Sequence, residues 1–587
     1  MKKYISIAVF LSLGLAAGAQ TFNPTVVVTN DYEGKTMEAH KKDLPMSVPD
    51  SLNRFDLSFD YSVFDQPYKG AYEFVPYAMD IRPQAAPASK KLIYINAGAG
   101  YTLHPELDIV FSPRLNKNFQ FSVYNKLRGF WGPYIGSAFN ENAESGVFDL
   151  TRGESFSGYD FRNQAGLDLM YDNARTSMFL KADFRTITSS DNIESRLYNA
   201  ADLYAGISST TSSKWDYNAS LGFTYGWDQI HNGDEWRLLN QIDASLRGSA
   251  HYELFNAMRV GGEAGFNYVS AADNTNNVLD CGAAEVYAIP QFIWQYSRSY
   301  LRLGLKMAYL FPFDHSNKAD DREQFRNYKH PSGYLFPDVE FSYRIVENKL
   351  EAFVKATGGN DLGSYGNLVE SNHFFKPAYY MLFVPIMDNS VEKFNGSAGL
   401  RFGSAHFQAD LIGGYATYDN GRVESFYVDN AYDNSRIFNG FSYVDYAQKY
   451  LQASLRWNSA RINVELSGKL RDSKVLGQEP TYVGILPAKI AAAGAITYNL
   501  NHRLYVGVTA DYSSGREGFF FTGGNGQVYH PVSIPSYIDL GANARFDFSD
   551  SFTVWARLDN ILNNNVQRTL GHAYDGVYVT GGICFNF

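Results

Sequence analysis

Apolar and polar residues alternate along the chain in many separate runs between about residue 91 and the C-terminus. In the run 300–309 one parity is apolar throughout and consists of Leu301, Leu303, Leu305 and Met307. The other parity carries Arg302, Gly304 and Lys306. Because successive side chains of a β-strand point to opposite faces, each such run is predicted to be a strand with one apolar and one polar face.

The length of the runs separates a membrane barrel from a soluble β-sandwich, whose strands also alternate. Soluble strands are usually about 5–6 residues long, whereas a strand that crosses a bilayer needs about 9–11. Many runs reach the longer value, and Ile462–Arg471 does so with no charge on its apolar parity. We therefore predict an all-β fold, a transmembrane antiparallel β-barrel of roughly 22 strands over residues 91–587, with 18 or 20 strands as the alternatives.

Short and long connections alternate between the predicted strands. The short ones lie at 115–118, 172–175, 210–213, 296–299, 346–349, 403–406, 458–459, 499–502 and 549–551. The long ones are predicted at 131–158, 226–234, 271–281, 311–332, 359–390, 418–438, 473–484 and 515–533. In outer-membrane barrels short turns face the periplasm and long loops face outside. The chain is therefore predicted to enter and leave the barrel on the periplasmic side.

Charged side chains on the polar parity are predicted to face the lumen of the barrel. They are Lys181, Asp183, Arg185, Arg302, Lys306, Glu465, Lys469, Arg471, Arg557 and Asp559. Two interpretations remain open, namely a field that selects solutes and a lattice of ion pairs that only braces the wall. Aromatic loop residues such as Phe374 and Phe375 are predicted either to grip a ligand or partner protein, or to pack in an aromatic girdle.

The N-terminus has the features of an export signal. Lys2 and Lys3 precede a short apolar run, and small residues follow up to Ala19, which predicts a signal peptide over residues 1–19. Residues 20–90 are largely polar and end in a proline- and alanine-rich linker. They are predicted to form a short periplasmic or lumen-filling segment, because so short a stretch cannot build a large core of its own.

Composition narrows the function without naming it. Aromatic residues make up 16% of the chain, which suits the aromatic girdles of a membrane barrel. A net charge of −10 disfavours nucleic acid as a partner, because such a partner requires a basic surface. No nucleophile motif accompanies the loop histidines, and no acidic cluster has the spacing of a calcium loop. The sequence therefore predicts no catalytic activity, no cofactor and no metal site.

The end of the chain carries a family resemblance. Val554–Asn563 is followed by a glycine-containing loop and a final strand that ends at Phe587. This arrangement resembles the closing motif of TonB-dependent outer-membrane receptors, and the segment Gly363–Pro377 resembles their large extracellular loops. A run near the mature N-terminus is similar to the peptide by which these receptors recruit TonB, and it consists of Thr25, Val26, Val27, Val28 and Thr29.

The resemblance implies an outer-membrane location and uptake or passage of a sizeable substrate, with TonB or another periplasmic protein as a partner. Phe587 is expected to mark the chain for the barrel-assembly machinery, and lipid is expected to surround the barrel. Residues 20–90 are too short for the plug domain of that family. An inward-folded N-terminal segment, inward-bent loops or a partner protein is therefore expected to fill the lumen. The alternative is a non-transporting accessory or scaffold barrel of an outer-membrane complex.

Overall fold

A computed structural model describes residues 92–587 apart from gaps at 114–115, 117, 211–213, 233–234, 256, 274–279, 315–332, 378–386, 430–436, 478–483 and 524–527. The predicted signal peptide 1–19, the segment 20–90 and the TonB-box-like run 25–29 lie outside the described residues. Within the described part of the chain, no helix is both long enough and apolar enough to span a bilayer.

The described residues form mostly β-strands. The first half of the chain contains β1 (Ile93–Tyr101), β2 (Glu106–Phe111), β3 (Phe119–Glu141), β4 (Phe148–Asp172), β5 (Thr176–Ser190), β6 (Ser195–Ser209), β7 (Trp215–Asn232), β8 (Glu235–Phe255), β9 (Met258–Asp273), β10 (Asp280–Tyr296), β11 (Ser299–Asp314), β12 (Gly333–Val346) and β13 (Leu350–Asp361). A short helix, α1 (Tyr365–Ser371), follows β13. The second half contains β14 (Ser390–Gly403), β15 (Phe407–Asp429), β16 (Ile437–Asn458), β17 (Ile462–Val475), β18 (Gly484–Ile485), β19 (Ile490–Asn499), β20 (Leu504–Ser513), β21 (Arg516–Gly523), β22 (Val528–Ile534), β23 (Tyr537–Ser549), β24 (Phe552–Asp559), β25 (Ala573–Tyr574) and β26 (Tyr578–Asn586).

Twenty-two of these strands form a closed antiparallel wall, which confirms the predicted barrel. The wall consists of β1 to β17 with β19, β20, β23, β24 and β26, and each strand pairs with its neighbours in the ring. The last strand returns to the first, with Phe585 opposite Ile95. The amide of Phe587 donates to the carbonyl oxygen of Ile93 at 2.9 Å, so the terminal residue helps to close the seam.

The outer face of the wall is apolar, as the alternation predicts. On β11, Leu303, Leu305 and Met307 are each more than 40% exposed, whereas Lys306 between them is fully buried. On β17, Leu466 is also exposed. A continuous apolar outer band on a closed barrel is stable against lipid rather than water. The protein is therefore an outer-membrane β-barrel, in agreement with the predicted location.

Leu305 offers a test of this orientation, because it lies near the middle of β11 and faces outward. Leu305→Arg is expected to destabilise the folded barrel by about 2–4 kcal/mol, since the guanidinium would have to enter the hydrocarbon core. The measurement is the urea midpoint of folding into lipid vesicles, with Leu305→Met as the matched control. Equal midpoints for the two variants would contradict the assignment of this face to lipid.

The connections at the two ends of the barrel differ in length, as predicted. Several of the predicted long loops are shorter in the structure. At one end, tight turns such as 347–349 connect neighbouring strands. The predicted loop 131–158 is wrong, because β3 and β4 continue through it as a paired hairpin and leave only 142–147 between them. Strands also occupy most of the predicted loops at 226–234, 418–438 and 515–533. Beyond the lipid both faces of a strand are free to be polar, so alternation no longer marks it.

Four short strands lie outside the wall at the loop end of the barrel, and three of them build what we call the mouth sheet. β21 pairs in parallel with the upper part of β15, β22 pairs in parallel with β4, and β18 joins β15 and β21. The core of the mouth sheet contains Leu150, Phe426, Ile437, Phe520 and Val532. Because β5 to β14 separate β4 from β15 in the wall, the mouth sheet bridges the opening between them.

Candidate functional site

The connection between β13 and β14 contains a segment that is buried although it belongs to a loop. We call residues 362–377 the lid segment, and it contains α1. Its large apolar side chains that are at most 1% exposed are Tyr365, Leu368, Val369 and Phe375. They share a core with wall residues that include Ile187, Tyr198, Leu239 and Leu310. The lid segment is therefore packed against the inner face of the wall.

The lid segment crosses the lumen at the outer end of the barrel. His373 Nδ1 lies 2.6 Å from Asp160 Oδ1 on β4. The amide of Lys376 donates to the carbonyl oxygen of Asn439 on β16 at 2.8 Å. Because β5 to β15 stand between β4 and β16, one short segment reaches both only by passing through the interior. Three ways to fill the lumen were expected, namely an N-terminal segment, inward-bent loops or a partner protein. The described residues show an inward-bent loop.

One anchor of the lid segment is a buried ion pair in the wall. Asp228 on β7 and Arg196 on β6 are almost completely inaccessible, and Arg196 Nε lies 3.0 Å from Asp228 Oδ2. The hydroxyl of Tyr365 donates to the same carboxylate oxygen at 2.5 Å. Burial, reinforced by the neighbouring carboxylate, raises the pKa of Tyr365 well above its ordinary value. The phenol therefore stays protonated and remains a hydrogen-bond donor to Asp228.

A second anchor is the ammonium group of Lys376. Lys376 Nζ lies 2.7 Å from Asp191 Oδ2 and 3.5 Å from Glu194 Oε1, in the connection between β5 and β6. His572 Nε2 donates to the same oxygen of Asp191 at 2.9 Å. Burial alone would raise the pKa of Asp191, but Lys376 and His572 outweigh it and hold the pKa well below its usual range. The site therefore keeps an ionised carboxylate where water is excluded.

The third anchor is aromatic. The ring of Phe374 stacks on His572 with centroids 4.0 Å apart and an interplanar angle of 20°. On its other side Phe374 meets Tyr134 of β3 edge to face at 5.4 Å. Tyr134 itself is fully buried and stacks on Phe156 of β4. Aromatic contacts of this kind contribute about 0.5–1.5 kcal/mol beyond the area they bury, so they add to the docking of the lid.

Close approach of α1 to the wall depends on a glycine. A side chain at Gly366 would place its Cβ 2.5 Å from the hydroxyl oxygen of Tyr198. The hydroxyl of Ser364, two residues before Gly366, donates to Asp243 of β8 at 2.6 Å and accepts from the side-chain Nε2 of Gln241 at 3.0 Å. These polar contacts hold the start of the helix against β6 and β8.

Three of the charges predicted to face the lumen lie on β5 and are Lys181, Asp183 and Arg185. The guanidinium of Arg185 makes two hydrogen bonds to Asp202 of β6, at 2.5 and 2.8 Å, and also pairs with Glu370 of α1. Asp183 accepts a hydrogen bond from Tyr124 of β3. Arg185 therefore joins the predicted set to the lid segment, although its partner in the lid was not predicted.

The other seven predicted charges lie elsewhere in the wall and are Arg302, Lys306, Glu465, Lys469, Arg471, Arg557 and Asp559. Lys306 lies 3.1 Å from Glu285, and both are completely buried. Arg557 pairs with Glu106 of β2 at 2.5 Å. Further contacts of the set include those of Arg302 with Asp338 and Glu340, Glu465 with Arg456, Arg557 with Asp559, and Lys469 with the ring of Tyr450. The ten charges are thus spread around the ring and form no single site.

The residues that dock the lid were missed because strand parity says nothing about loops. Asp191, Glu194 and Lys376 all lie in connections between strands. A signal was nevertheless present, since the predicted loop 359–390 contains more large apolar residues than a water-exposed loop needs. Phe374 and Phe375 are buried in the core of the chain itself rather than in an outer aromatic girdle, and ligand binding by these rings stays a prediction.

Known structures share this architecture. The ferripyoverdine receptor of the outer membrane of Pseudomonas aeruginosa has a TM-score of 0.59 and 11% identity, over 85% of this chain and 72% of the receptor. The ferric enterobactin receptor of the same organism has a TM-score of 0.57 and 9% identity, over 85% of this chain and 81% of the receptor. The FrpB iron transporter from Neisseria meningitidis has a TM-score of 0.59 and 10% identity, over 85% of this chain and 81% of the transporter. No protein-family model and no curated protein sequence matches the chain.

The chain has the barrel fold of TonB-dependent outer-membrane receptors. At this level of identity the likeness concerns the fold, and functional residues do not transfer. In this barrel the described residues contain no group of three or more His, Cys, Asp or Glu side chains placed to hold a metal ion. The site that the structure offers is therefore the lid segment and the wall residues beneath it.

Proposed function

We propose that the barrel carries a sizeable substrate across the outer membrane and that the lid segment closes its outer mouth at rest. One observation carries the proposal: a complete wall of 22 strands encloses a lumen, and a loop segment crosses that lumen at its outer end. Porins with 16–18 strands already enclose an aqueous channel, so a wall of this size leaves room for a larger solute. Similarity to receptors and transporters of the outer membrane supports uptake as the direction.

The experiment that tests the proposal is a flux measurement on the purified full-length protein in liposomes. Polyethylene glycols of increasing size are offered as probes, first to the wild type and then to a variant whose lid is released. Wild-type liposomes are expected to exclude the probes, and the released variant is expected to admit probes larger than porins pass. Exclusion of every probe by the released variant would reject passage through this lumen.

We infer that coupling to TonB uses the run Thr25–Thr29. A peptide that binds by adding a strand depends on main-chain hydrogen bonds, and proline removes a donor from that ladder. Val27→Pro is expected to lower TonB recovered with the solubilised protein at least about tenfold, whereas Val27→Thr, which keeps the donor, is expected to bind normally. Equal recovery with both variants would show that this run does not engage TonB.

We also infer that the ten charges, from Lys181 to Asp559, line the lumen as a bracing lattice. Several of their ion pairs join different strands, as Arg302 does with Asp338 and Arg557 with Glu106, which is the arrangement expected of such a lattice. Phe587 is proposed as the insertion signal read by the assembly machinery. It is terminal and more than half exposed, and it follows the last strand of the wall.

A second candidate function is a non-transporting scaffold barrel within an outer-membrane complex. The density of buried contacts that hold the lid segment favours it, because a permanently closed mouth suits a structural subunit. Mild detergent extraction of native membranes separates the two functions. Recovery with stoichiometric protein partners, together with a lid that no ligand opens, would favour the scaffold. Recovery as a monomer would count against it.

A further inference from the structure

The carboxylate that binds Lys376 is held in place by groups outside the lid segment. Asp191 Oδ1 accepts hydrogen bonds from the amides of Ile193 and Glu194, at 2.8 and 2.9 Å. His572 holds Oδ2 from the opposite side, in the connection between β24 and β26. None of these contacts is made by Lys376, so they do not depend on its ammonium group.

Glu194 provides an acceptor that the lysine leaves partly unused. Its side chain is almost completely buried, and Oε1 lies 3.5 Å from Lys376 Nζ. Within the described residues Oε2 has no hydrogen-bond partner. An ammonium group carries three donors, and a buried carboxylate without full hydrogen bonding is unfavourable. The site therefore offers an acceptor oxygen to which Lys376 makes no hydrogen bond.

We propose that Asp191, Glu194 and His572 form a binding site for a primary ammonium group. In the closed barrel Lys376 fills this site as a tethered ligand. A molecule that carries a primary amine competes with Lys376 for the site and thereby favours release of the lid segment.

The geometry selects a primary ammonium group over other cations. The 2.7 Å contact with Asp191 is a direct N–H hydrogen bond, which a quaternary ammonium cannot make. A guanidinium is planar and broader, and its two parallel N–H donors suit the two oxygens of one carboxylate. The donors of an ammonium group diverge and can reach Asp191 and Glu194 at the same time. We therefore expect alkylammonium ions to bind and tetramethylammonium not to bind.

The test uses Lys376→Ala in the full-length protein, reconstituted in planar bilayers with EDTA present. Removal of the ammonium leaves Asp191 and Glu194 buried without their cation, a strain that opening relieves by admitting water. The open fraction is expected to rise about tenfold over wild type. The matched control is Lys393→Ala, because Lys393 lies on β14 after the same loop and forms an exposed ion pair with Asp419.

Chemical rescue then identifies the ligand class. Addition of n-butylammonium to the loop side of Lys376→Ala is expected to raise its thermal unfolding temperature, whereas tetramethylammonium at the same ionic strength is not. Lys376→Ala/Asp191→Asn is expected to show no response to n-butylammonium. In wild type, n-butylammonium is expected to increase the open fraction, because it competes with Lys376.

Three results would overturn the proposal. These are a closed Lys376→Ala barrel, equal responses to n-butylammonium and tetramethylammonium, and a response that survives Asp191→Asn. The shift in mobility between folded and heat-unfolded protein on electrophoresis verifies that each variant is folded. Since the readouts are binding and opening, they are independent of uptake. Rescue without flux of large probes would retain the ammonium site and reject the proposed transport.

Discussion

Replacement of residues 362–377 by a glycine–serine linker of equal length is expected to convert the closed barrel into a pore with a large, steady conductance. The lid segment crosses the lumen between β4 and β16, and its loss opens the part of this wide lumen that the mouth sheet does not bridge. Single-channel recording of the full-length protein is the measurement. We expect a conductance at least about tenfold above that of the wild type.

Deletion of residues 20–90, alone and in the lid variant, separates the two internal candidates for closing the lumen. A further rise in conductance in the double variant would support an inward-folded N-terminal segment. Equal conductance of the double variant and the lid variant would discard that segment as an obstruction. A lid variant that conducts no better than the wild type in both backgrounds would contradict closure by the lid segment.

Asp228→Ala is expected to release the lid segment without unfolding the barrel. The substitution removes the partner of Arg196, and an uncompensated buried charge costs about 3–5 kcal/mol. The wall is held by its full ring of strand pairs, whereas the lid can leave and let water reach the guanidinium. The population with an open lid is therefore expected to rise by about two to three orders of magnitude. The rate of chymotrypsin cleavage at Phe374 measures it.

Two matched variants show whether the lid segment is held by the charges of Arg196 and Asp228 or by the hydrogen bond from Tyr365 to Asp228. Arg196→Met/Asp228→Leu replaces the pair by apolar groups and is expected to restore a closed lid, because neither charge of this pair is then left buried without its partner. Tyr365→Phe keeps the ring and removes the hydrogen bond to Asp228, so its effect is expected to be only about 1 kcal/mol. If Asp228→Ala is cleaved as slowly as wild type, the buried pair is not an anchor of the lid.

The wall was predictable in detail because its signal is local. Leu303, Leu305 and Met307 are exposed on the outer face whereas Lys306 is buried, and this difference follows from their alternating positions along the strand. The final strand, β26, was predictable from its alternation and its aromatic end at Phe587. The upper parts of β3 and β4 were not, because strands beyond the lipid need no apolar face and the alternation fades there.

By itself the sequence determined a β-barrel of about 22 strands, its orientation and its apolar outer face, because each residue's environment in the wall depends on its parity and on lipid. Only the tertiary structure decided what closes the mouth. Lys376 meets Asp191, and Tyr365 meets Asp228, across separations of more than 130 residues along the chain. Such contacts arise from the closure of the ring, which places distant loops over one opening. No local pattern encodes that meeting.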